Sequence, residues 1–130
     1  MSKRMDDWLR QANKDFMHAK KSLRMKDFEW ACFAAQQSAE KALKALYDYL
    51  GGEGWGHSVT KLLKELPLRI DKRLLKESAA LDKMYIPARY PNGFETGAPA
   101  DYFTDTDAKE AIAHAKDILS FVASRIRRAK

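Results

Sequence analysis

Much of what usually reveals chemistry is missing from this sequence. It has one cysteine, Cys32, which excludes an intramolecular disulfide and any multi-cysteine zinc site. Its three histidines stand apart, without clustered carboxylates, so neither a metal nor another cofactor is expected. It has no phosphate-cradling glycine loop and no signature of a nucleophile paired with a base. No apolar stretch approaches the roughly 20 residues that cross a bilayer, and "MSKRMDDWLR" lacks a signal-peptide core. A cytoplasmic protein without a membrane partner is therefore the expectation. Strand-type alternation and internal repeats are also absent.

What is present is charge and helical periodicity. A chain of 130 residues is most economically one domain, 1–130, able to bury roughly two thirds of its unfolded surface. The net charge of +6 suits a polyanionic partner. The basic residues are scattered, however, from Lys20 and Lys21 to Arg128 and Lys130, so charge alone selects no partner.

Met5, Leu9, Ala12, Phe16, Ala19 and Leu23 are spaced alternately four and three apart, predicting a first helix that ends near "RMKD". Asp27 is the candidate N-cap of a second helix, "FEWACFAAQQSAEKALKALYDYL", stopped by Gly51 and Gly52. Its alanines and Ser38 offer a small-residue surface for close helix approach. Gln37, Lys41, Lys44 and Asp48 lie toward the other side, and Glu40 can pair with Lys44. Such a helix belongs at the centre. Ser58 caps a short helix, "VTKLLKEL", and "KRLLKESAALDKMYI" supplies another, with Leu74, Leu75, Ala79 and Leu81 inward. The last begins at "TDTDAKEA", capped by Thr104 or Thr106, and turns Ala108, Ala111, Ala115, Ile118, Val122 and Ile126 inward. Arg125, Arg127 and Arg128 suit its C-terminal end. Cys32, Trp30 and Trp55 read as core or interface residues. The expected fold is all-α, an up-and-down bundle of about four to five helices.

The longest loop, "YIPARYPNGFETGAPADYF", holds three of the four prolines, three tyrosines and one arginine. Pro87 and Pro91 bias Ile86 and Tyr90 toward extended backbone, which limits how the loop bends. A guanidinium matches phosphate oxygens and a phenol ring can stack on a base. Arg89, Tyr90, Pro91 and Asn92 are therefore candidate ligand-binding residues. In the other reading Arg89 binds helix carbonyls or pairs with Asp101, while the rings pin the loop to the bundle. His57 either helps bind an anion at the next helix N-terminus or fixes where that helix starts. Gln37, Lys41 and Lys44 form either a polar groove facing the loop or a solvated face. His18 lies beside the first apolar stripe and His114 near Glu110 and Asp117, both expected at solvated or interface positions.

The blocks "DFEWACFAAQQSAEKALKALYDYLG", "GHSVTKLLKEL" and "LDKMYIPARYPNGF", in that order, resemble the HEPN domain, a small helical module named for nucleotide binding. The likeness runs from about Trp8 to the last helix. It implies a helical bundle that dimerises, often encoded beside a minimal nucleotidyltransferase in a toxin–antitoxin-like pair. Many members are metal-independent ribonucleases or RNA- and nucleotide-binding modules. The family's ribonucleases carry an arginine, four to six residues, then a histidine. Arg10 lies eight positions before His18, one too many, and no other pair fits, so that catalytic pair is not carried over. What matches is "ARYPN", similar to the RYP-type loop of a HEPN subgroup, with Asn92 where aspartate often stands. The resemblance thus implies a homodimer that binds nucleotide or RNA. The alternatives are a metal-independent ribonuclease using other residues, such as Arg89 with His57, and a non-catalytic interaction module.

Overall fold

The computed structural model describes residues 4–128, so Lys130 lies outside it. Among these residues six helices follow in order: α1 Met5–Arg24, α2 Phe28–Tyr49, α3 Val59–Lys64, α4 Lys72–Asp82, α5 Pro99–Tyr102 and α6 Asp105–Arg128. A 3₁₀ turn covers Pro91–Gly93. Among the described residues there is no strand. The short α5 is the addition to the helices that periodicity predicts, for a four-residue turn is too short to show a period. No helix among the described residues is long and apolar enough to cross a membrane.

α2 is central because small residues cover much of its circumference. Ala31, Ala34, Ala35, Ala39 and Ala42 are all buried. α1 packs on one side through Ala12 and Ala19, and the Ser38 hydroxyl donates to the Ala12 carbonyl at 2.7 Å. α6 packs on another through Ala108, Ala111, Ala115, Ile118, Val122 and Ile126, the predicted stripe. Without bulky side chains between them, these helices approach closely. Leu43, Leu46, Leu62, Leu63 and Leu81 fill the space toward α3 and α4.

The helix ends show how local chemistry sets the boundaries. α2 closes in a Schellman motif, with Gly52 N–H on the Tyr47 carbonyl (2.9 Å) and Gly51 N–H on Asp48 (3.1 Å). Gly51 has φ +86°, where a side chain would be strained. α1 ends the same way, but its left-handed residue is Lys26, at φ 64°. This turn leaves Asp27 at φ −93°, ψ 72° rather than in the extended conformation of a capping residue, and its side chain makes no cap bond to α2. Ser58 does cap α3, accepting from Lys61 N–H at 3.1 Å. Of the two candidate threonines, Thr104 caps α6 reciprocally with Asp107, at 3.1 and 3.0 Å.

Two inward assignments change. On α4, Ala79 is exposed while Glu77 and Ser78 are buried, because each meets a polar partner: His114 on α6 and Thr60 on α3. Of the core and interface positions expected for Trp30 and Trp55, the core is excluded. The two tryptophans are 47% and 76% exposed, since alanines already occupy the buried positions of α2 and Trp55 stands on the glycine-rich loop.

Candidate functional site

The polar section of α2 is organised around Glu40, which is almost fully buried. A carboxylate out of water requires donors, and this one has four. Gln36 and Gln37 reach it through Nε2, both at 3.3 Å, Lys44 Nζ at 3.0 Å and His57 Nδ1 at 3.2 Å. The Glu40–Lys44 pair is the one that their spacing predicts. A carboxylate only accepts, so Nδ1 of His57 is the donor in this bond. The His57 carbonyl in turn accepts from Gln36 Nε2 at 2.9 Å. The α3 N-terminus is filled from elsewhere. Asp82 accepts from Val59 N–H, Thr60 N–H and the Ser58 hydroxyl at 2.7, 3.2 and 2.9 Å. An internal carboxylate thus occupies the anion position considered for His57.

The His57 ring stacks on Tyr85, with centroids 4.8 Å apart and planes 17° apart. Tyr85 also carries Arg89, whose Cζ lies 4.7 Å from its ring centroid, 4.2 Å from Phe33 and 5.0 Å from Tyr90. Arg89 Nε donates to the Tyr85 carbonyl at 2.9 Å. None of the ion pairs among the described residues involves Arg89. Asp101, its suggested partner, instead accepts from Ala98 N–H at 2.9 Å. Buried Ala88 fastens the loop, and the Ile86 carbonyl accepts from the N–H groups of Arg89 and Tyr90. Tyr90 is extended (φ −129°, ψ 139°), as the following proline requires, while Pro91 and Asn92 lie exposed in the 3₁₀ turn. The rest of the loop is pinned by its own rings. Phe94 stacks on Tyr102 at 4.2 Å, and the Tyr102 hydroxyl donates to the Thr96 carbonyl at 2.6 Å.

A cleft of about 190 Å³ opens beside this aromatic group, lined by Asp15, His18, Trp30, Phe33, Ala34, Gln37 and Lys41. Gln37, Lys41 and Lys44 do not form one groove facing the loop. Lys41 turns to Asp15 on α1 at 2.5 Å, whereas Glu40 and the Trp8 ring, 5.5 Å from Nζ, hold Lys44 elsewhere. His114 lies far from this chemistry in role. Its Nδ1 meets Glu77 of α4 at 3.1 Å, whose carboxyl is pushed above its ordinary range by burial and then by Asp117, with His114 opposing. Burial, then Asp107 and Glu29, push the Cys32 thiol up to about 12, so it is an inert core group. The sequence did not single out Phe33 or Asp15, and offered Tyr85 only as a ring pinning the loop, not as the platform for His57 and Arg89. The usable signal was the placement of Phe33 and Gln37 one helical turn apart on α2.

With that geometry in place, the HEPN domain family matches residues 5–126. The chain is a HEPN-domain protein. TT1696 from Thermus thermophilus is 44% identical, over 95% of this chain and 98% of that one, with a TM-score of 0.92. ST0689, an archaeal HEPN homologue, is 40% identical over the same shares, at 0.83. A HEPN domain protein from Thermotoga maritima is 31% identical over 94% and 98%, at 0.78. No protein of curated function matches. In this HEPN protein, among the described residues, no three histidine, cysteine or acidic side chains gather as a metal site would need.

Proposed function

We propose that this chain, acting as one HEPN unit, binds nucleotide or single-stranded RNA on the face formed by Arg89, Tyr90, His57 and the α2 residues Gln37 and Lys41, which line the adjoining cleft. The observation that carries the reading is the state of Arg89. Its guanidinium is positioned by aromatic rings and a carbonyl, without a carboxylate neutralising it. A positioned, unneutralised cation beside exposed Tyr90 can take phosphate and base together. Pro91 and Asn92 supply the turn that presents them. Family membership supports a homodimer, and pairing with a minimal nucleotidyltransferase in a toxin–antitoxin-like system belongs to the same proposal. In fluorescence anisotropy with short single-stranded RNAs and a panel of mononucleotides, Arg89→Ala should weaken binding by about 10- to 100-fold, the worth of a charge-assisted hydrogen bond. Unchanged affinity for every probe would remove the assignment.

One observation favours a second reading, metal-independent RNA cleavage. His57 and Arg89 share the Tyr85 ring, and Glu40 fixes the His57 tautomer. Nε2 would then take the 2′-hydroxyl proton as the 2′-oxygen bonds to phosphorus and the P–O5′ bond breaks, the 5′-oxygen leaving with a proton from solvent, while the guanidinium stabilises charge on the phosphorus oxygens. This reading requires cleavage in chelator that disappears in both Arg89→Ala and His57→Ala; RNA left intact by the purified protein removes it.

A further inference from the structure

We infer that the cleft between α1 and α2 is a base-reading pocket and that the base it takes is guanine. The inference rests on the nucleotide-binding reading above and adds which base is recognised and by which residues.

At about 190 Å³ the cleft falls below the roughly 300–1,000 Å³ of pockets that enclose whole drug-sized ligands. Its volume suits a single planar base. Trp30 and Phe33 provide its aromatic walls, meeting edge to face with centroids 6.1 Å apart and planes at 79°. One ring can therefore stack on a base while the other meets its rim. Trp30 is half exposed, although large aromatic surface is favoured out of water, and a stacked base would cover it.

The polar groups of the cleft select among bases. Asp15 and Lys41 stand side by side as a carboxylate and an ammonium, each largely shielded from solvent. Asp15 Oδ1 accepts from Gln11 Nε2 at 2.8 Å and Oδ2 from Lys41. Each carboxylate oxygen retains a second lone pair, and the ammonium has further hydrogens. Guanine presents O6, an acceptor, next to two donors, N1–H and the 2-amino group. The pair complements all three: Lys41 to O6, and the two Asp15 oxygens to N1–H and the amino group. Adenine and cytosine each offer a single amino donor on this edge, and uracil a single imino donor, so the carboxylate would be only half used. Because the ammonium neutralises Asp15, the carboxylate does not repel an anionic nucleotide.

The pocket also connects to the proposed phosphate site. Phe33 lines the cleft, and its ring carries the Arg89 guanidinium 4.2 Å from its centroid. A base in the cleft would thus leave its phosphate on the Arg89 side of this ring.

The test is titration of the full chain with GMP, IMP, AMP, CMP and UMP, followed by tryptophan quenching and calorimetry. GMP should bind most tightly. IMP lacks only the 2-amino group and should bind more weakly; loss of the bidentate contact in Asp15→Asn should cost about 10- to 100-fold for GMP and little for AMP. Trp30→Ala removes an exposed wall without touching the core, so it provides a fold-neutral check and should weaken GMP binding and abolish part of the quenching. Nucleotide binding that depends on Arg89 but shows no preference for guanine, or a preference unaffected by Asp15→Asn, overturns the base assignment and leaves the Arg89 site standing. No binding of any of these mononucleotides overturns the base assignment, and no binding of single-stranded RNA either overturns both.

Discussion

Glu40 and Glu77 are both buried carboxylates bonded to a histidine Nδ1, at 3.2 and 3.1 Å, yet their other neighbours are opposite in character. Glu40 is surrounded by donors: Gln36, Gln37 and Lys44. Glu77 faces another acid, Asp117, with Arg73 no closer than 3.9 Å to its carboxylate. The first pair holds an imidazole at an open aromatic face, and the second joins α4 to α6. The same two residue types therefore serve a candidate site in one place and a helix seam in the other. What surrounds the carboxylate decides between them.

The largest expected effect tests the donor-rich member. Glu40→Ala leaves the shielded Lys44 ammonium without its carboxylate, while Gln36 and Gln37 keep the His57 carbonyl and Gln36 Oε1 as acceptors, and should cost about 3–5 kcal/mol by chemical denaturation. A loss no greater than that of Glu77→Ala would mean the two settings are energetically alike. The histidines should separate next. His114→Ala removes the α4–α6 bond and should cost about 1 kcal/mol, whereas His57→Ala, whose side chain is 57% exposed, should change stability by less than about 0.5 kcal/mol. Equal losses in paired denaturation curves would contradict the assignment of one pair to the seam.

The smallest effect concerns pH. Because the folded state raises the Glu77 pKa, its native form keeps a proton that the unfolded chain has released. The resulting stabilisation is complete below the ordinary value of 4.5 and is lost as pH rises through the folded value. Glu77→Gln mimics the protonated carboxyl and should flatten the decline in stability above pH 4.5. A variant whose stability falls more steeply with pH than the parent would reverse the sign assigned here.

The fold was legible where neighbouring residues determine it. Apolar spacing located α1, α2 and α6, and the Thr104–Asp107 cap can be read from four adjacent residues. The end of α1 near "RMKD" was legible, but not the left-handed backbone of Lys26 that closes it, since nothing in a lysine advertises that conformation. The site was less legible than the bundle for the same physical reason. Asp82 reaches residues more than twenty positions back, and Glu77 meets His114 across 37. Arg89 could be identified as a lone cation in a rigid loop. Its resting place on Phe33 and Tyr85 depends on how α2 and the loop come together, which periodicity does not encode.

The two tethers on His57 have a consequence for the segment that precedes it. Its ring hangs from Glu40 and its carbonyl from Gln36, so a single turn of α2 sets both the backbone and the side chain. The stretch from Gly51 to Gly56 is thereby relieved of any duty in aiming the imidazole. Lengthening that stretch by a few flexible residues should move the histidine hardly at all, because loop closure costs grow only slowly with length. Variation in this hairpin can accumulate without disturbing what lies beside it.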